Sequence, residues 1–323
     1  MKWAIIGCGW MADDFLQSLK HVDGAEVVAC GSKNIDRAKA LADKFDIPSY
    51  YDSYDAMLEN EEIDIVYIAT THNYHYENAL LCLDHGKHLL IEKPVTINTN
   101  QFEELSKIAQ KKKLFLMEAM WTRFLPGITK LKQVIASGII GDLVILNADF
   151  GNRVDVDLNN RFYNAGLAGG SMLDMGIYPL TFANLIFAEK PSQVISAAAL
   201  TETGVDATAT YILQYNDNAI AKLSSSITTN LGASATIYGT KGFISIDGFF
   251  GVRQFTVVPN GEDSYVIDCD YVGTGKQFEA ENVMASIATG KIESDIHPHS
   301  ETLWMMQLMD KLRAEWGVVY PGE

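Results

Sequence analysis

The chain has 323 residues, enough for two domains and a large buried core, and 48% of them are hydrophobic. Its 25 lysines and arginines face 41 aspartates and glutamates, and the resulting net charge of −16 argues against nucleic acid or an anionic membrane surface as the main partner. No run of about 18 apolar residues is present to make a helical membrane span. The four scattered cysteines, Cys8, Cys30, Cys82 and Cys269, read as buried thiols of a protein in a reducing cytoplasm.

The first 120 residues alternate apolar runs with helical patterns. KWAIIG (2–7) is a buried strand, and a helix is expected over 11–20. Strands follow at 26–30, 63–70, 88–94 and 114–120, with helices over 35–45, 76–84 and 100–112. That rhythm implies an α/β, doubly wound parallel sheet, assigned to a first domain of residues 1–120. The remainder, 121–323, reads as an α+β domain. A helix is expected over 126–137, and another starts near Gly170. Polar and apolar residues alternate between 192 and 258, as in DATATYILQY, with hairpin turns at YNDNA (215–219) and GTKG (239–242). This is a large, open, mainly antiparallel sheet with one half-exposed face. Helical segments over 278–289 and 300–316 close the chain.

GCGWMA (7–12) lies between the first strand and its helix. Gly7 permits a sharp turn, Gly9 lets backbone approach a pyrophosphate, and Ala12 lets the helix pack closely on the sheet. Trp10 and Met11 open that helix, whose positive end suits a phosphate. The second strand ends in CGSKNIDR (30–37), with no acid at its tip to bind an adenosine ribose. Ser32 can instead donate to a 2′-phosphate while Lys33 and Arg37 match its charge, which favours NADP over NAD. Two more strand-end loops join the expected coenzyme site: Thr70, Thr71, Asn73 and His75 of TTHNYH, and Glu92 and Lys93 of EKP. In LDMGIYP (173–179), Asp174 and Tyr178 are four residues apart, which on an α-helix puts them on one face. Trp121, Arg123 and Phe278 are candidates for binding substrate. Arg153 and Arg161 flank an acidic, asparagine-rich loop (152–164) that is a candidate cover for the cleft, with solvation as its plain reading. HPH (297–299) has no further ligand nearby in sequence, so no metal site is expected.

GCGWMA, IEKPV (91–95) and LDMGIYP together resemble the glucose–fructose oxidoreductase/inositol dehydrogenase (Gfo/Idh/MocA) family over essentially the whole chain. EAMWTRFLP (118–126), GGSMLDMGIYPL (169–180) and QFEAENV (277–283) are similar to its branch of dimeric dihydrodiol dehydrogenases and NADP-dependent D-xylose dehydrogenases. The resemblance implies an N-terminal Rossmann domain and a homodimer formed through the C-terminal sheet. It also implies hydride transfer between NAD(P) and a sugar, polyol or trans-dihydrodiol. Many members carry histidine where this chain has Tyr178. In that setting Tyr178 is the expected acid/base, although its unperturbed pKa of about 10 must be lowered. Lys93 would orient the reacting oxygen, and Asp174 would orient Lys93 or bind a substrate hydroxyl. Whether Tyr178 or Asp174 carries the proton is left open by spacing alone. The competing reading is a catalytically silent dinucleotide-binding sensor of the same fold.

Overall fold

The structure is a computed structural model that describes residues 1–215 and 219–323. The chain divides into two compact units, Met1–Trp121 with Val272–Gln307, and Thr122–Tyr271 with Leu308–Glu323.

In the first unit the chain runs β1 (Lys2–Ile6), α1 (Trp10–Leu19), β2 (Glu26–Gly31), α2 (Ile35–Phe45), β3 (Ser49–Tyr51), α3 (Tyr54–Leu58), β4 (Ile65–Ile68), α4 (His75–Asp84), β5 (His88–Glu92), α5 (Thr99–Lys112) and β6 (Leu116–Ala119). The six strands form one parallel sheet in the order β3-β2-β1-β4-β5-β6. Trp3 to Ile6 and Ile65 to Ile68 are fully buried, as strands covered on both faces must be. The order reverses at β1, so a switch point lies between β1 and β4 at the carboxyl ends of the strands, where open α/β sheets hold their ligands. β3 and α3 are additions to the sequence reading. Three and five residues are too few to carry a recognisable period.

The second unit continues with α6 (Pro126–Ala136), β7 (Leu143–Gly151), a π-helical turn at Met172–Gly176, and α7 (Ile177–Phe187). Then come β8 (Gln193–Leu200), β9 (Asp206–Gln214), β10 (Ile220–Ser226), β11 (Gly232–Gly239), β12 (Gly242–Asp247), β13 (Gln254–Pro259) and β14 (Tyr265–Asp268). Their sheet has the order β14-β13-β12-β11-β7-β10-β9-β8 and is antiparallel except where β10 meets β7. One face is covered by α7, whose residues Ile177 to Ile186 are all buried. The other face is open. There the register aligns Ile195 with Ile212, and Ile220 with Ile145 and then Tyr238, all of them exposed.

The predicted GTKG turn joins β11 to β12 through the Gly239–Gly242 pair. The YNDNA turn falls on residues 216–218, which lie outside the described residues. β7 and β14 extend the sheet beyond the window read from alternation. β7 opens with the unbroken apolar run LVIL, and β14 is a four-residue edge strand.

The last helices are α8 (Gln277–Ala288) and α9 (His299–Trp316). Sequence alone assigned everything after residue 120 to the second domain, whereas Val272–Gln307 belongs to the first unit. β6 is an edge strand and its polar groups need partners. The Leu116 amide donates to the Ile292 carbonyl at 3.0 Å, the Leu116 carbonyl lies 2.8 Å from His299 Nε2, and α8 packs on α1.

Candidate active site

In the first unit, Gly7 has φ +92°, and a Cβ there would lie 2.8 Å from the Ala69 carbonyl carbon and oxygen. Only glycine allows that approach of β1 to the loop after β4. Gly9 is the N-cap of α1. It has no side chain to cap the first amides, and nothing lies within 4 Å of where its Cβ would be. The positive end of α1 is therefore open to a phosphate, and wholly buried Ala12 seats the helix on the sheet. Trp10 is exposed and Met11 half-buried at the same turn. Cys8 is only partly buried, unlike the other three cysteines, and its thiol faces the Gly31 carbonyl.

At the end of β2, Ser32 Oγ accepts from the Asn34 amide at 3.2 Å and keeps its own proton to donate. Lys33 and Arg37 are exposed, and the Lys33 ammonium lies 4.6 Å from the centre of the Tyr74 ring. Asn34 caps α2, while Asp36 faces solvent. The tip of β2 thus carries a free hydroxyl proton and two exposed basic side chains.

The loops after β4 and β5 are tied together. Thr71 donates to Asn73 at 2.8 Å, and Asn78 donates to Thr70 at 3.2 Å. His75 was expected at the coenzyme. It is wholly buried instead, with its ring nitrogens 2.8 Å from the Pro94 carbonyl and 3.0 Å from the Thr70 carbonyl. The ring thus ties one loop to the other, and its burial depresses its pKa. Glu92 is likewise turned inward. Its carboxylate accepts from the Tyr67 hydroxyl and, at 3.2 Å, from the Lys93 amide, and burial pushes its pKa up against the pull of Lys276. This holds the backbone of Lys93 just beyond β5, and the Lys93–Pro94 peptide is cis.

Lys276 pairs with Asp14 and lies 4.7 Å from the centre of the buried Trp121 ring, so one face of that indole carries an ammonium. Phe278 is half-buried on α8. His297 pairs with Glu118 at 3.0 Å, and His299 bonds to Ser106 and Leu116. Among the described residues no cluster of three or more His, Cys, Asp or Glu side chains is placed to hold a metal ion.

In the second unit, the helix expected around LDMGIYP begins as a π-turn. The Ile177 amide reaches back to the Met172 carbonyl, five residues earlier. Such turns are frequent at functional sites, and the wider turn alters the i, i+4 geometry expected of Asp174 and Tyr178. Asp174 forms a two-pronged ion pair with Arg161, with Oδ1 2.9 Å from Nη1 and Oδ2 3.5 Å from Nη2. Arg161, on the loop that the sequence offered as a cleft cover or a solvated segment, is therefore the partner of a candidate site acid. The Asp174 side chain is 12% exposed and that of Arg161 43%.

Tyr178 is buried, with its ring centre 5.6 Å from that of Phe150 and 5.4 Å from that of Phe250. Arg123, expected to bind substrate, is buried and donates to Asn184 at 2.8 Å. The acid that caps the π-turn is Asp206 of β9, which accepts from the Met172 amide at 2.6 Å and from Ser171 at 2.9 Å. Sequence reasoning missed Asp206. The only signal was the GGS preceding the turn, since its glycines imply close approach by some other chain segment.

Comparison with known proteins gives the family of the chain. Residues 1–120 match the model of an oxidoreductase family with an NAD-binding Rossmann fold, and residues 128–245 match the GFO/IDH/MocA C-terminal domain. The mouse and human trans-1,2-dihydrobenzene-1,2-diol dehydrogenases are each 34% identical over 333 aligned positions, covering 100% of this chain and 99% of theirs. Aldose-aldose oxidoreductase from Caulobacter crescentus, complexed with glycerol, superposes with a TM-score of 0.89 at 20% identity, covering 98% of this chain and 97% of that one. A 3-ketoreductase from Actinomadura kijaniata, in complex with NADP and TDP-benzene, gives 0.86 at 22% identity, covering 97% of each chain. By both family models and full-length identity, the chain belongs to the GFO/IDH/MocA family of oxidoreductases.

Proposed function

We propose that this protein is an NADP-dependent dehydrogenase of a sugar, polyol or trans-dihydrodiol, with Tyr178 as the acid/base and Lys93 orienting the reacting oxygen. The observation that carries this reading is that one chain holds Lys93 beyond β5, Asp174 and Tyr178 at the π-turn, and an acid-free, basic tip on β2. The full-length relatives named as dihydrodiol dehydrogenases support the diol as a substrate class.

When bound, the nicotinamide supplies the hydride acceptor, or the donor in the reverse direction. Tyr178, as the phenolate, takes the proton of the reacting hydroxyl, and Lys93 stabilises that phenolate and hydrogen-bonds the reacting oxygen. Asp174, held by Arg161, accepts from a second hydroxyl of the substrate. Phe150 and Phe250 shield the phenol ring from water. Half-buried Phe278 offers an aromatic surface to substrate, while the Trp121 ring is held by Lys276 and the Arg123 guanidinium by Asn184. The protein works as a homodimer through the open sheet face, in the cytoplasm, where its thiols stay reduced.

The test is coenzyme reduction with NADP and NAD across a panel of trans-diols, aldoses and polyols. Turnover that favours NADP supports the proposal. Tight NADP binding with no turnover on any panel member would favour a silent sensor.

A further inference from the structure

A buried carboxylate left unused by this mechanism is Asp206, and its surroundings explain why glycine precedes Ser171. Asp206 Oδ2 accepts both the Met172 amide and the Ser171 hydroxyl. Ser171 has a single proton and donates it to Asp206, so it must accept from Ser225, 2.9 Å away. Ser225 in turn must accept from the Tyr211 hydroxyl, also at 2.9 Å. Donation therefore runs one way, from Tyr211 through Ser225 and Ser171 to the carboxylate.

Two glycines are fitted to this chain. A Cβ on Gly170 (φ +111°) would fall 2.2 Å from Asp206 Oδ1, and one on Gly176 would fall 2.5 Å from the Tyr211 hydroxyl and 2.9 Å from Ser225 Oγ. The π-turn is thus seated on β9 and β10 at both its ends. From Met172 the linkage continues mechanically, because its carbonyl takes the Ile177 amide and Ile177 precedes Tyr178.

We infer that Asp206 is a positioning residue for the reaction: a helix cap supplied from another strand that fixes the π-turn and so aims Asp174 and Tyr178. The inference rests on reading those two residues as the reacting pair. Asp206 is fully buried and faces Ser171 and Met172 of the turn, Ser225 of β10, and the phenols of Tyr211 and Tyr320, with Arg313 and Glu323 beside Tyr320. Tyr320 donates to the Gly169 carbonyl at 2.6 Å, one residue before Gly170. The only cation in that set, Arg313, is engaged by Glu323 and Asp310, and burial pushes Asp206 up to about 6. Protonation removes the charged acceptor that organises the donors, so the cap weakens on the acid side of neutrality.

The experiment compares kcat, KM and NADP affinity from pH 5 to 9 for the wild type, Asp206→Asn, Ser171→Ala and Tyr178→Phe, using the best substrate from the panel. Asp206→Asn imitates the protonated cap. Its kcat is expected to fall about tenfold near neutrality with KM and NADP affinity little changed, as for a misaimed catalytic group. The acid limb of the wild-type kcat profile should also flatten. Ser171→Ala keeps the carboxylate. It should lower kcat while retaining that limb, and it carries the test alone if Asp206→Asn fails to fold. The inference is overturned if both variants keep wild-type kcat and the same limb while Tyr178→Phe is crippled. Near-normal turnover by Tyr178→Phe is a different result, which removes the underlying reading and the inference with it.

Discussion

Asp206 is a carboxylic acid that folding takes out of water, and its titration should be visible in stability as well as in rate. Its pKa rises from an ordinary 3.8 to about 6, chiefly through burial, while the Ser171 and Met172 hydrogen bonds pull the other way. The folded state therefore holds a proton that the unfolded chain has released. Stability falls as pH rises through that window, by about 3 kcal/mol when complete. Urea unfolding at pH 4.5 and 7 should show a smaller difference for Asp206→Asn than for the wild type, and an equal difference would contradict this. Glu92 and Glu279 are raised in the same direction by burial, so they contribute to the wild-type slope but not to its change on substitution. Gly7 makes a sharper demand. Gly7→Ala combines a left-handed φ with a 2.8 Å approach to the Ala69 backbone, so thermal unfolding should show a loss of at least about 1–3 kcal/mol and titration should show weak NADP binding.

At the level of elements, the coenzyme-binding features lie close to their own strand ends, and these were the readable ones. A buried strand, a glycine turn and a helix occupy residues 2–19, so GCGWMA could be interpreted locally. The β2 tip is equally local. Replacing both Lys33 and Arg37 with alanine should weaken NADP binding at least about tenfold while leaving NAD binding within about twofold, which parallel titrations would measure. Equal losses for the two coenzymes would show that these side chains do not discriminate.

The π-turn was less legible, because its partners come from distant sequence. Asp206 is 34 residues from Met172, and Arg161 is 13 from Asp174 in a loop without periodicity. His75 shows the opposite limit. Its strand-end position suggested a ligand contact, but only coordinates show the Thr70 and Pro94 carbonyls holding its ring.

For the whole molecule, the open face of the eight-stranded sheet sets the expected assembly. Ile145, Ile195, Ile212, Ile220 and Tyr238 are exposed on neighbouring strands, and the register makes them one face. Exposed apolar area of this kind marks an interaction site, and a two-fold dimer buries the same patch on both copies. Sedimentation at micromolar concentration should give twice the chain mass for the wild type and the single mass for Ile212→Glu, with NADP binding retained. A monomeric wild type would contradict a dimer through this face. The return of Val272–Gln307 to the first unit was beyond sequence reading, because it depends on edge-strand groups at Leu116 that any of several later segments could have met.

The central claim is that Tyr178 moves the proton of a reacting hydroxyl, and steady-state turnover of Tyr178→Phe with NADP and the best panel substrate tests it most directly. The account predicts that kcat falls at least about 100-fold at every pH while NADP affinity stays at the wild-type value. Turnover near that of the wild type across the pH range would contradict it.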